Sequence, residues 1–199
     1  KRIFETLVEG EVGIYVCGIT PYSPSHIGHA RQAIAFDIIV RWLRKSGFLV
    51  NHISNFTDID DKIIRIANEE NIDFLDVANR NIDDYFEVMD LLNVNRADSY
   101  PRVTETIPEI IDMIAKLIEN GNAYSSHDGV YFEINTAPEK YGQLTGQTLE
   151  MVREGAGGRV SETGTGKKNH RDFALWKIAK TGEPYWSSPW GDGRPGWHI

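Results

Sequence analysis

The chain has 199 residues, of which 41% are hydrophobic and 25% charged, with a formal net charge of -8. That apolar content is enough for a sizeable core and excludes wholesale disorder, and the acidic balance excludes a generic polyanion binder, which needs clustered Lys and Arg. No run approaches a membrane span, the opening KRIFETLVEG lacks the apolar core of a signal peptide, and the single cysteine, Cys17, rules out an internal disulfide, so a reducing, cytoplasmic setting is expected.

The first predicted element is a buried strand over 12–17 (VGIYVC), rich in β-branched and aromatic residues. A loop, GITPYSPS, leads into HIGHARQAIAFDIIVRWLRKSG. There the helical period places Ile34, Ile38 and Trp42 with Ala35, Ile39 and Leu43 on the inward side, and Arg31, Asp37, Arg41, Arg44 and Lys45 elsewhere. Gly47 ends that helix after a basic last turn. A second strand is expected over 48–54, which makes a βαβ unit with a parallel sheet.

Beyond Asp58 the pattern turns helical. Ile63, Ile64 and Ala67 mark a short helix. Leu75, Ala78, Ile82, Tyr85, Phe86, Met89 and Leu92 form one long stripe, and Ile107, Ile110, Ile111, Ile114, Leu117 and Ile118 another. Residues 123–134 read as a hairpin turning at His127-Asp128-Gly129, 154–166 as a mobile loop rich in Gly, Ser and Thr, and 172–178 as a strand. The pattern alone fits two architectures: a Rossmann-like domain carrying an insertion, or a plain α+β domain.

Four segments carry candidate chemistry. His26-Ile27-Gly28-His29 sits where a loop becomes a helix, so free N–H groups, a close backbone approach at Gly28 and two imidazoles on one face suit a phosphate. Solvated or core histidines, or a metal-binding pair, fit the same four letters. Cys17 alone reads as a small core residue. Asp58, Asp60 and Asp61 suit either a divalent cation or the cap of the following helix, with capping expected of at least one; Thr57 beside them is a candidate ligand contact. Three tryptophans lie between 186 and 197, as core or as the wall of a small-substrate site. Lys167, Lys168, His170 and Arg171 form the one dense basic cluster, a solvated turn or an RNA contact.

Taken together, YVCGITPY at 15–22, HIGHAR at 26–31, FD at 36–37, NFTDIDDKI at 55–63, DFALWK at 172–177 and SPWGDGRPGWHI at 188–199 resemble the cysteinyl-tRNA synthetases, a family of class I aminoacyl-tRNA synthetases. The resemblance runs along essentially the whole chain. It implies an α/β fold: a Rossmann-like parallel sheet, the class I catalytic domain, interrupted by a mostly helical connective insertion with a small hairpin. The catalytic domain would hold 1–62 and 172–199, and the insertion 63–171. It implies activation of L-cysteine by ATP with Mg2+ and transfer to tRNA(Cys) by a cytoplasmic monomer. His26, Gly28 and His29 would bind the ATP phosphates, the two histidines also stabilising charge at the α-phosphate. Gly18, Thr57 and Trp197 would line the cysteine pocket. Cys17 would be a zinc ligand, because zinc selects thiolate over hydroxyl.

The resemblance also marks departures. In the family PGWHI runs on into a second zinc-ligand cysteine, and the remaining ligands, the KMSKS loop and the anticodon-binding domain come later; activity is therefore expected of the full-length protein and not of these 199 residues alone. The connection from KRIFETL to VEGEVGIYVCG is shorter than is usual in the family, through either a deletion or residues missing near 7–11. The cysteine ligase of mycothiol synthesis is similar throughout, although the TDIDDK form with Lys62 favours the synthetase. A truncated, non-catalytic nucleotide-binding module is the reading from another class.

Overall fold

In the computed structural model, residues 3–136, 143, 146 and 166–199 are described. Two compact units divide the chain, Lys1–Thr106 and Ile107–Ile199. The expected loop at 154–166 lies outside the described residues except for Gly166.

The first unit is the expected βαβ. Strand β1 (Glu11–Val16), helix α1 (Ile27–Lys45) and strand β2 (Leu49–Ser54) follow in order, and β1 pairs parallel with β2 from Glu11 opposite Leu49 to Val16 opposite Ser54. The outer edge of β2 is not left open. The Asp98 N–H donates to the His52 carbonyl at 2.8 Å, and the Ser54 and Phe56 N–H groups donate to the Ser99 and Pro101 carbonyls. Asp98 also accepts from the His52 N–H, and Arg44 Nη2 donates to both of its carboxylate oxygens. These hydrogen bonds hold the Asp98 carboxyl below its ordinary pKa, the His52 N–H contributing most.

Helix α1 packs through a face other than the expected one. Its buried residues are Ala30, Asp37 and Val40, and Val40 meets Val12 and Val50 of the strands with Leu43 beside it. Ile38 and Trp42, expected inward, are 61% and 69% exposed, and Ile34 and Ile39 are also exposed. The helix carries two apolar stripes at helical spacing, so periodicity alone does not choose between them. The strands take the stripe with the small residues, which lets the backbones approach. Asp37, expected on an outer face, is buried there and accepts from Arg41 one turn on at 2.8 Å.

Helices α2 (Asp61–Glu70) and α3 (Phe74–Leu91) complete the unit. Ile63 and Ala67 of α2 pack on Val77 and Ala78 of α3. Phe56 is buried among Tyr85, Phe86 and Tyr100, stacked on Tyr100 at 5.2 Å and edge-on to Phe86 at 5.5 Å. The Arg96 guanidinium covers the Phe86 ring at 3.8 Å. Burial pushes the Tyr85 phenol up to about 12.

The second unit is helix α3's successor on an antiparallel sheet. Helix α4 (Ile107–Glu119) precedes strands β3 (Ala123–Ser126), β4 (Gly129–Phe132), β5 (Phe173–Ile178) and β6 (Gly193–Pro195), which lie side by side in that order. The hairpin turns where expected. Ile107 and Ile114 of α4 pack on Val130, Leu175 and Trp176. Strand β5, expected to lead back to the parallel sheet, is held between β4 and β6. Asp172, fully buried at its start, accepts from Tyr124 Oη, from the Ile134 N–H and from the Asn169 N–H.

Phe56 gathers three other rings, and its truncation leaves a cavity that those rings cannot fill. Phe56→Ala is expected to lower the stability of the first unit by about 3–5 kcal/mol in urea unfolding followed by Tyr and Trp fluorescence.

Candidate active site

The loop between β1 and α1 carries the candidate residues, and α3 holds it in place. Pro21 is fully buried, and its carbonyl accepts from Asn81 Nδ2 at 3.2 Å. The Ser25 N–H donates to Asp84 Oδ2 at 2.7 Å. Asn81 and Asp84 lie three residues apart on one face of α3, so a single helix turn grips the loop at two points.

At the start of α1, His26 is the N-cap, with an extended backbone. Its Nδ1 accepts the Gly28 N–H at 3.1 Å. In the neutral ring, Nδ1 therefore carries the lone pair and Nε2 the proton, which leaves Nε2–H free to donate outward. The His26 and His29 rings stack with centroids 3.8 Å apart. A Cβ at residue 28 would stand 2.9 Å from the His26 ring, so the ring would have to shift to admit one. The first turn of α1 has no acidic residue, so nothing on the helix offsets its partial positive charge. His29 is half-buried, with its Nδ1 enclosed and unpartnered in the protein. Burial, and then the His26 ring, hold its pKa below the ordinary 6.5, with Asp84 opposing them. The result is an anion-suited helix terminus flanked by two imidazoles.

Just across the ends of the strands, Cys17 is exposed, and its carbonyl accepts from Gln32 Nε2 of α1 at 2.9 Å. The Gly18 N–H donates to Asn55 Oδ1 at 2.8 Å. A Cβ on residue 18 would lie 1.5 Å from the Asn55 carbonyl oxygen, so only glycine fits. Asn55 Nδ2 donates to Thr57 Oγ1 at 3.3 Å, and the Thr57 N–H to the Ile19 carbonyl at 3.0 Å. The structure thus brings Gly18 and Thr57 together through Asn55. Trp197 belongs to the second unit, where it is 48% exposed and meets His198 edge-on.

The acidic cluster resolves toward capping. Asp60 Oδ1 accepts from the Lys62 N–H at the start of α2. Asp58 is fully buried and accepts from both the N–H and the hydroxyl of Thr104. Among the described residues no three His, Cys, Asp or Glu side chains converge in a way that would hold a metal ion. In the basic cluster, Lys168 bonds Glu133 at 2.9 Å and lies over the Tyr124 ring, which supports the solvated-turn reading for that residue. A cavity of about 30 Å³ bordered by Gly18, Gln32, His52 and Tyr100 lies in the first unit. It has room for a water or so, not an organic ligand. His52 Nε2 is enclosed without a partner in the protein, and burial lowers its pKa.

Four functional supports escaped sequence reasoning: Gln32, Asn55, Asn81 and Asp84. Asn55 stood inside a motif singled out for its aspartates. Asn81 and Asp84 flank the apolar Ile82 in the stripe of α3, where pattern reading attends to the hydrophobic positions. No local spacing links any of them to the loop at 18–25.

A family model described as the tRNA synthetases class I (C) catalytic domain matches residues 3–199. A cysteine--tRNA ligase of Pyrococcus furiosus is 55% identical over 199 residues, covering all of this chain and 41% of that relative. One from Nitratidesulfovibrio vulgaris is 52% identical over 200 residues and is covered for 40% of its length. The chain therefore spans about two fifths of the length of these curated relatives. Among solved structures, a Mycobacterium tuberculosis methionyl-tRNA synthetase in complex with methionyl-adenylate has a similar fold. Its TM-score is 0.54 at 20% identity, over 63% of this chain and 25% of that one. Among the described residues no helix is long and apolar enough to cross a membrane.

The stacked histidines make a pH prediction. The folded His29 value lies below that of the free ring, so the unfolded chain protonates first as pH falls through about 6.5, and His29 contributes a loss of stability between there and its folded value. In NMR titrations of the ring protons, His26→Gln is expected to raise the His29 midpoint and Asp84→Asn to lower it further. A midpoint unmoved by both variants contradicts this electrostatic account.

Proposed function

The chain belongs to the family of class I (C) tRNA synthetase catalytic domains, and on that footing we propose that it supplies the ATP and amino-acid groups of a cysteine--tRNA ligase. The reaction joins the carboxylate of L-cysteine to the α-phosphate of Mg2+-bound ATP, releasing pyrophosphate, and then passes the cysteinyl group to a terminal ribose hydroxyl of tRNA(Cys), releasing AMP. The observation that carries this reading is that the histidine-flanked N-terminus of α1 and the Gly18–Asn55–Thr57 chain of hydrogen bonds both follow the carboxyl ends of the paired strands β1 and β2. One binds an anion and the other a small polar molecule, which is what adenylation requires of a protein.

Neither step needs a protein nucleophile. His26 and His29 act by donating to phosphate oxygens as charge accumulates on them. Gly28 keeps the backbone low enough for that approach, and the clamp from Asn81 and Asp84 keeps the loop from moving away. Such preorganised donors act without reorganisation cost at the moment of reaction. Gly18 and Thr57 receive the amino acid. The parallel unit carries the catalytic groups. The antiparallel unit is assigned to the connective insertion with β5 and β6 included, which moves the return to the catalytic domain beyond 172. The protein acts in the cytoplasm as a monomer.

Cys17 offers one exposed soft ligand, but a tetrahedral site needs three or four protein ligands, and the described residues bring no such group together.

The test is cysteine-dependent exchange of pyrophosphate into ATP by the intact protein, followed by charging of tRNA(Cys). His26→Ala and His29→Ala are each expected to slow exchange about 10²–10³-fold with the fold retained. ATP bound tightly without cysteine-dependent exchange would overturn the enzymatic reading. Cysteine passed to an amino-sugar inositol and not to tRNA would overturn the acceptor.

A further inference from the structure

We propose that Asn55 is a positioning residue for the amino-acid subsite: by donating to Thr57 Oγ1 it commits the Thr57 hydroxyl proton to the bound ligand. This rests on the reading of Gly18 and Thr57 as that subsite.

The argument starts from a group whose polarity is not in question. The Gly18 backbone N–H can only donate, and it meets Asn55 at 2.8 Å. The atom of Asn55 facing it must therefore be the carbonyl Oδ1, which fixes the amide orientation. The other end of the amide is then Nδ2, which can only donate, and it lies 3.3 Å from Thr57 Oγ1. Thr57 consequently accepts from Asn55, and its own proton is left to point elsewhere. The Thr57 backbone is held independently by its N–H bond to the Ile19 carbonyl, so the hydroxyl is the part that Asn55 controls. A hydroxyl in this state offers a donor. The ligand atom that this proton recognises is an acceptor, a carboxylate oxygen or thiolate of the amino acid.

Asn55 is also the residue whose carbonyl oxygen crowds Gly18. Its backbone closes one side of the subsite while its side chain sets the polarity of the other. One residue thereby couples the shape requirement at Gly18 to the hydrogen-bond requirement at Thr57.

Asn55→Asp tests this, because it keeps an acceptor for Gly18 and replaces the donor facing Thr57 by an acceptor. The Thr57 proton then turns toward residue 55 and is lost to the ligand. In the intact protein, Asn55→Asp is expected to weaken cysteine about 10- to 100-fold, by calorimetric binding and by KM in pyrophosphate exchange, with the KM for ATP nearly unchanged. Thr57→Val is expected to cause a loss of similar size. In the Thr57→Val background, Asn55→Asp should then cost no more than about threefold, since the hydroxyl through which it acts is gone. An equal loss in both backgrounds would assign the effect to the new charge and overturn the proposal. So would cysteine affinity unchanged or improved by Asn55→Asp, the result expected if Thr57 accepted from the ammonium group.

A second measurement stands if Asn55→Asp does not fold. The side-chain amide protons of Asn55 should shift in NMR spectra of Thr57→Val, and resonances that stay in place would remove the hydrogen bond and with it the proposal. Failure of the underlying reading looks different: the wild-type protein would then bind no cysteine, and both variants would be silent for that reason.

Discussion

A single close approach organises the candidate site. The carbonyl oxygen of Asn55 stands 1.5 Å from where a Cβ at residue 18 would be, so the chain leaving β1 and the chain leaving β2 touch backbone to backbone. Parallel strands need a crossover of a dozen or more residues, and nothing in the crossover itself forces their C-terminal ends to stay together once the ladder stops. The Gly18–Asn55 contact extends the pairing past Ser54. The Thr57 N–H bond to the Ile19 carbonyl carries it further, while Phe56 bonds Pro101 and Val103 on the other edge. Cys17, Gly18, Thr57 and the loop to α1 all depart from that seam, so their relative positions depend on one residue having no side chain.

The second constraint is the grip of α3 on the loop. A connection between strand and helix has many conformations, and ordering each residue costs roughly 1–2 kcal/mol of backbone entropy. Buried Pro21 removes some of that freedom in advance, and Asn81 and Asp84 take up polar groups that burial would otherwise leave unpaired. The interlocked rings around Phe56 tie α3 to the chain leaving β2. The aromatic core is therefore not only a source of stability: it transmits the position of the sheet to the loop that presents His26 and His29.

How legible this was depended on whether the cause was local. The βαβ order, the three helical stripes and the hairpin turning at His127-Asp128-Gly129 follow from periods of two and 3.6 and from turn residues, and the structure has them. The Asp60 cap is equally local. The inward face of α1 was not legible, because both of its stripes have helical spacing and the choice was made by strands far away in sequence. Asp58 shows the same limit: beside Asp60 and Asp61 it looks like part of a cation site, yet it is fully buried and serves Thr104, 46 residues on. The histidines were legible as two imidazoles at a helix start but not as a stacked pair, and Asn55 was hidden within its own motif because its partners, Gly18 and Thr57, meet it only after the sheet has formed.

The stacked pair also bears on how such a site can work at neutral pH. Two imidazoles at van der Waals distance, beside the positive end of a helix, disfavour carrying charge together. A neutral pair loses Coulomb attraction for phosphate compared with two imidazoliums, but it keeps directed N–H donors and needs no counter-ion when the site is empty. Asp84 then has a bounded role: it favours charge on His29 while spending one oxygen on the Ser25 N–H. The balance favours the neutral His29 ring, a directed hydrogen-bond donor of the kind that suits a charge appearing only during reaction.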